Sequence, residues 1–169
     1  MIFHFSIAAD DPKRTAMMFA ELWKGEAFPF PMVSTGSWVA HAGDDRRSTL
    51  EVYPRDLAFY PSEGAGEERR EPVSRHNAFH AAVATPLSIE EVEEIARRYN
   101  CHTSLCNRGG WFQVIELWVD NAQMIEMLTP QMQADDPRQV TRDNWRAMLE
   151  SRGLAAADQS LAGAGAAAA

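Results

Sequence analysis

The sequence predicts an α+β fold made of two repeated β-α-β-β-β modules, with helices on the outside and a short C-terminal helix appended. Three observations support it. His4 precedes Glu51 by almost the same interval as His80 precedes Glu126. Each histidine sits in a short apolar run, Ile2-Phe3-His4-Phe5-Ser6-Ile7 and Ala78-Phe79-His80-Ala81-Ala82-Val83. Each glutamate sits in another that ends near a proline, Leu50-Glu51-Val52-Tyr53-Pro54 and Ile125-Glu126-Met127-Leu128-Thr129-Pro130. Between the members of each pair, helix and hairpin signals follow in the same order. Such a period means one structural unit used twice.

The first unit opens on Ile2 to Ala8, which alternates Phe3, Phe5 and Ile7 against His4, Ser6 and Ala8 as a half-buried strand does. Asp10-Asp11-Pro12 then supplies an acidic N-cap and a first-turn proline. Ala16, Phe19, Ala20 and Trp23 form one apolar helical stripe, and Gly25 ends the helix. Ala27 to Pro31, with two prolines, reads as an edge strand. Ser37 to Ala42 and Thr49 to Tyr53 flank Gly43-Asp44-Asp45-Arg46 as a hairpin. The polar stretch from Pro54 to Ser74 has the composition of a linker.

The second unit repeats the order. Strand Ala78 to Ala84 leads to Ser88, an N-cap with Glu91 placed for a capping box. Ile89, Val92, Ala96 and Tyr99 give the helix its apolar stripe. A strand follows near His102 to Asn107, then a turn at Arg108-Gly109-Gly110. Trp111 to Val119 and Ala122 to Leu128 close the unit as a hairpin around Asp120-Asn121. Thr141 caps a short helix carrying Trp145, Met148 and Leu149, stopped by Gly153. The expected boundaries are module one over 1–60, a linker over 61–75 and module two over 76–130, within a domain of 1–135. A helical extension covers 136–154 and an Ala/Gly-rich tail 155–169.

At 169 residues, 46% hydrophobic and 24% charged, the chain is long enough to bury one shared core. A net charge of −8 disfavours nucleic acid and anionic membranes as partners. No apolar run approaches the roughly 20 residues that span a bilayer. No basic segment precedes a longer apolar one at the N-terminus, so a cytoplasmic location is expected. Cys101 and Cys106 are the only cysteines, and their odd offset sends them to opposite faces of one strand, as idle thiols rather than a disulfide.

Period-2 geometry sends His4 and His80 to the sheet faces away from the helices. Pairing Gly43 with Ser48 puts Glu51 opposite Ala40, sharing its face with Trp38 and Tyr53. Pairing Val119 with Ala122 puts Glu126 opposite Ile115, sharing its face with Gln113, Leu117 and Met124. Curving the two sheets toward each other would gather His4, Glu51, His80 and Glu126 in one cavity walled by Trp38, Tyr53, Ile115 and Leu117, with Gln113 as a further contact. Two buried carboxylates in one cavity need a cation. Two imidazoles and two carboxylates suit one divalent ion of Ni, Zn, Co, Mn or Fe. Asp10 and Asp11 read as helix-start carboxylates, and Arg108-Gly109-Gly110 as a turn with no helix after it to cradle phosphate.

With those residues in place, roughly residues 1 to 130 resemble the vicinal oxygen chelate superfamily, which includes glyoxalase I, methylmalonyl-CoA epimerase, extradiol dioxygenases and fosfomycin- and bleomycin-resistance proteins. The resemblance implies a cup-shaped curved sheet around a metal that chelates two adjacent oxygens of a small-molecule substrate. The His/Glu/His/Glu set is similar to that of glyoxalase I. It implies a lyase or isomerase working through an enediolate, with Glu126 as the base and Glu51 as the alternative. The chain departs from glyoxalase I at Trp23-Lys24-Gly25-Glu26-Ala27-Phe28-Pro29, and it shows no match to residues that hold glutathione. A binding or resistance protein of the same fold, metal-free or a thiol transferase, is the alternative. Family members pair modules within a chain or between chains of a dimer, and the resemblance allows a homodimer as well as pairing within one chain.

Overall fold

The computed structural model describes residues 4–30, 36–60, 67–71, 75–108, 112–139 and 142–151. The first module runs β1 (His4–Ala9), α1 (Pro12–Trp23), β2 (Glu26–Pro29), β3 (Trp38–His41) and β4 (Thr49–Pro54). Its sheet order is β1-β4-β3-β2, with β1 parallel to β4 and the other pairings antiparallel. A small hairpin follows, β5 (Leu57–Tyr60) with β6 (Glu67–Arg70). The second module runs β7 (Ala82–Ala84), α2 (Ile89–Arg98), β8 (His102–Asn107), β9 (Gln113–Val119) and β10 (Gln123–Leu128). Its order, β7-β10-β9-β8, repeats that of the first, again with the first and last strands parallel. Helices α3 (Pro130–Gln139) and α4 (Arg142–Ser151) end the described chain.

Local chemistry accounts for the elements. The Asp11 carboxylate caps α1 by accepting the Arg14 N–H at 3.0 Å, and Pro12 needs no partner at the first helical position. The helix stops where Lys24 turns left-handed at φ 54° and the Gly25 N–H returns to the Ala20 carbonyl at 2.8 Å. Gly25 is required there, because a Cβ would stand 1.9 Å from the His41 carbonyl oxygen. At α2 the expected capping box is present. Glu91 N–H donates to Ser88 Oγ at 3.2 Å, and Ser88 N–H donates to the Glu91 carboxylate at 2.8 Å. Ala16, Phe19, Ala20 and Trp23 are buried as their spacing requires.

One apolar core joins the modules. Phe19 and Leu22 of α1 and Leu50 and Val52 of β4 meet Val92 and Ala96 of α2 with Ile115, Leu117, Ile125 and Met127. The Thr85 hydroxyl crosses between modules to the Leu22 carbonyl. Around this core lie ion pairs that also cross, Arg55 with Asp120 and Arg98 with Glu21, while Asp10 holds Arg55 from within the first module.

The structure corrects several expectations. Both hairpins are shifted by one residue. Glu51 lies opposite Val39 rather than Ala40, because Ala42 donates to the Ser48 carbonyl and the loop closes on His41 and Thr49. Glu126 lies opposite Glu116 rather than Ile115, because Ala122 is drawn into the turn with its N–H on the Val119 carbonyl. A one-residue slip exchanges the faces of the partner strand. Trp38 therefore packs against the helix-side core, as do Ile115 and Leu117, which are fully buried there. Gln113, on the same side by alternation, is exposed at the start of β9 opposite Asn107. The stretch read as a linker contains β5 and β6. The strand expected from Ala78 is ordered as β7 only from Ala82, so His80 precedes it. The chain is helical from Pro130, earlier than expected. Thr141, Gly153 and the Ala/Gly-rich tail lie outside the described residues. Among the described residues no helix is long and apolar enough to cross a membrane.

Candidate metal centre

On the face of the first sheet away from α1, parallel pairing sets Ser6 beside Glu51 and Ala8 beside Tyr53. His4 and Glu51 meet there, with His4 Nε2 4.0 Å from Glu51 Oε1. Two adjacent donors each about 2.1 Å from one ion lie about 3.0 to 3.4 Å apart, so the exposed His4 side chain would have to close by under about 1 Å to share an ion with Glu51. The imidazole is 59% exposed and the carboxylate 18%. Glu51 is held in place by Tyr53, whose hydroxyl donates to Oε2 at 2.6 Å and leaves Oε1 toward the histidine. Tyr53 is in turn backed by Phe59 of β5, ring centroids 5.2 Å apart and nearly perpendicular. The hairpin in the polar stretch thus contributes an exposed aromatic wall to this side of the site.

On the second sheet the face away from α2 carries Glu126 and Glu116 directly opposite each other on β10 and β9. Both carboxylates are occupied by a cation of the chain itself. Arg108 Nη2 donates to Glu126 Oε1 at 2.5 Å and to Glu116 Oε1 at 2.8 Å. Trp118 Nε1 reaches the other Glu116 oxygen at 3.3 Å. Burial pushes the Glu116 carboxyl upward, but the hydrogen bonds from Arg108 and Trp118 outweigh it, and the net shift is below the ordinary glutamate value. The Glu126 hydrogen bond, more than any other contact, raises the Arg108 pKa and keeps the guanidinium charged.

His80 stands just before β7, exposed, with Nδ1 3.2 Å from the Ala78 carbonyl. A carbonyl can only accept, so Nδ1 is the donor in this contact and Nε2 takes no part in it. The four expected ligands therefore do not form one cluster within the chain. Among the described residues no three of His, Cys, Asp and Glu converge to hold an ion. His4 and Glu51 are brought together; Glu126 is drawn instead to Arg108 and Glu116. The donor set fits a divalent ion at the His4–Glu51 pair, whereas at Glu126 the guanidinium already fills the cation's place. Cys101 and Cys106 are both free.

Three contributors went unread in the sequence. Glu116 lies in the apolar run Val114 to Val119, as Glu126 lies in its own, but it lacks the repeat interval that singled out Glu126. Arg108 has no signal, lying in a turn, whereas Phe59 lies in the short apolar run Leu57-Ala58-Phe59-Tyr60 of an otherwise polar stretch.

No family model and no curated protein matches this sequence. Solved structures match its fold. The fosfomycin resistance protein FosX from Listeria monocytogenes aligns over 79% of this chain and 95% of its own, at 10% identity and a TM-score of 0.51. A Bacillus anthracis protein proposed to belong to the glyoxalase family aligns over 75% of this chain and 92% of its own, at 13% identity and a TM-score of 0.51. With the doubled module order, these likenesses show that the chain shares the fold of those two proteins.

Proposed function

We propose that this chain is a divalent-metal-dependent lyase or isomerase of the glyoxalase type, acting on a small compound with two adjacent oxygens. The observation that carries the reading is the His4–Glu51 pair, 4.0 Å apart and open to solvent, with Tyr53 fixing the far carboxylate oxygen. Ligating carboxylates are commonly held by such an outer hydrogen bond, and ligating histidines commonly donate their other nitrogen to a main-chain carbonyl, as His80 does. The proposed ligands are His4, Glu51, His80 and Glu126. Because they stand as separate groups within one chain, the reading includes a homodimer in which the first-sheet pair of one chain meets the second-sheet ligands of another.

Bound there, a divalent ion supplies Lewis acidity to a substrate carbonyl. The chain's residues do the rest. Glu126 is the proposed base, taking a proton from the carbon beside the carbonyl and returning it to the neighbouring carbon; Glu51 is the alternative. Tyr53 orients Glu51, and Phe59 and Val39 give the first side of the site an apolar wall. Glu126→Gln is expected to keep the fold and lose turnover of an α-oxoaldehyde or α-hydroxy carbonyl substrate; full activity in that variant would rule out Glu126 as the base.

One observation favours a second reading, a metal-free small-molecule binder: Arg108 already neutralises Glu116 and Glu126. Elemental analysis decides between them. About one divalent ion per chain in the native protein, lost in His4→Ala and in His80→Ala, supports the metal enzyme. No ion, and none taken up from Ni²⁺, Zn²⁺, Co²⁺ or Mn²⁺ solutions, leaves the binder.

A further inference from the structure

Arg55, Arg70, Arg75, Arg97, Arg98 and Arg108 each meet a carboxylate. Arg14 meets none among the described residues, although the fold holds it in place. Its guanidinium lies over the Tyr99 ring, 5.4 Å from the centroid, and Nη2 donates to the Arg98 carbonyl at 3.4 Å. Two groups of the second module thus hold the arginine and use one of its five N–H donors, leaving most of the fork open. Lys13 precedes it on α1, also without a carboxylate among the described residues, its Nζ 5.3 Å from the centroid of the Trp38 ring. Both cations border a cleft of about 420 Å³ that Met17, Arg98 and Tyr99 also line. The remaining charges there are committed, Asp11 to capping α1 and Arg98 to Glu21. Met17, 45% exposed, borders a second cleft as well, of about 670 Å³, with Ala20, Phe28 and Trp38 as its apolar side. Glu21, already paired with Arg98, and the opposite charges Lys24 and Glu26 also border it.

Lys13, Met17, Ala20 and Lys24 recur at i, i+4, i+7 and i+11, one stripe of α1 continued into its cap. The two clefts adjoin at Met17 along about 15 Å of helix, basic at one end and apolar beyond it. We propose that this groove binds a small organic phosphate, its phosphate group held by Arg14 and Lys13 and its apolar body laid over Met17 toward Phe28 and Trp38. Two adjacent cations match the nearly two charges of a phosphate monoester better than the single charge of a carboxylate. Neighbouring cations repel, and the bound anion relieves that repulsion while filling the open donors with charge-assisted hydrogen bonds. The body covers Met17 and Phe28, each 45% exposed, and so removes apolar surface from water. In a chain of net charge −8 an anion is repelled from most of the surface, so a local pair of unneutralised cations decides where it settles. The groove lies on the helix side of the first sheet and His4 and Glu51 on the other face, so the proposal is independent of the metal centre.

The test is calorimetric titration of the full-length chain with octyl phosphate, octanoate, inorganic phosphate and uncharged octyl glucoside, each below its micellar concentration. Octyl phosphate is expected to bind at least about tenfold tighter than any of the other three, the size of one charge-assisted hydrogen bond. Arg14→Gln and Lys13→Gln are each expected to weaken it about tenfold. Met17→Gln is expected to weaken it about threefold or more and to leave inorganic phosphate unaffected. All three side chains are exposed, so the variants are expected to unfold at the native temperature when no ligand is added. Arg14→Lys, which keeps the charge without the fork, is expected to fall between native and Arg14→Gln. His4→Ala is expected to bind as the native chain does, which separates the groove from the candidate metal centre. Undiminished binding in Lys13→Gln/Arg14→Gln, or its loss in His4→Ala, puts the ligand elsewhere and overturns the proposal. Equal binding of octanoate overturns the phosphate, and no binding of octyl phosphate overturns the groove as a site.

Discussion

Tyr53 shows how much of the candidate centre depends on single side chains beyond the ligands. Its hydroxyl reaches Glu51 at 2.6 Å, and its ring is packed edge-on against Phe59. Both residues of the pair lie on one strand two positions apart, so strand alternation alone puts them on one face. Tyr53→Phe keeps the ring and removes the donor. Metal affinity is expected to fall about 10- to 100-fold, as for other outer partners of ligands, while stability falls by about 1 kcal/mol. Metal titration beside thermal unfolding separates the two effects. Glu116 is the converse case. It lies in an apolar run as Glu126 does, but without the repeat interval, and its role depends on a turn-borne arginine whose reach no periodicity encodes.

At the scale of elements, the faces of β1, β4 and β10 were legible and those of β3 and β9 were not. Alternation within a strand is a property of the strand, and it placed His4, Glu51, Tyr53 and Glu126 correctly away from the helices. The face of a partner strand depends on the turn, and here Ala122 joins Asp120 and Asn121, both at φ 52°, in a longer connection than a two-residue hairpin. That slip moves Ile115 and Leu117 from an expected pocket wall into the core. Ile115→Ala is accordingly expected to cost about 2 to 5 kcal/mol in urea unfolding without changing metal affinity in the protein that remains folded. Gly25→Ala is expected to destabilise the first sheet, since its Cβ would collide with the His41 carbonyl. Unchanged stability in that variant would contradict that account. The charged residues after β5 hid the ribbon: Leu57-Ala58-Phe59-Tyr60 is an apolar run, but its partner Glu67–Arg70 is wholly charged, and the stretch as a whole has the composition of a linker.

Across the whole molecule, the modules are clamped by charge at two places around their shared core. The Glu21 carboxylate accepts from Arg98 and from the Tyr99 hydroxyl, at 2.5 and 2.6 Å. Arg98, more than any other group, lowers the Glu21 pKa. Burial pushes Tyr99 up to about 12, with the Glu21 hydrogen bond adding to it. At Asp10, burial acts upward but Arg55 and Arg75 prevail, and the net shift is down. Lowered carboxylates stabilise the fold above their unfolded values, near 3.9 and 4.3, and that contribution is lost as pH falls through the lowered folded values. The raised phenol contributes below its unfolded value near 10, and this is lost as pH rises toward 12. Urea midpoints measured across pH are expected to fall at both ends, and Glu21→Gln to flatten both slopes; an unchanged profile would remove Glu21 from the clamp.

The parallel pairing of β1 with β4, and of β7 with β10, has a consequence for how the chain is made. Each module opens with a strand whose partner is the last strand of that module, so neither sheet can close while its end is still being synthesised. As the chain leaves the ribosome, β1 carries its apolar side exposed until β4 arrives, with only α1 to shield it. The second module then meets the same delay, with Phe79 and β7 waiting for β10. Translation halted inside β9 would therefore leave a finished first module tethered to an open second one. Limited proteolysis of stalled nascent chains should reveal that intermediate, protected through β4 and cleavable beyond it.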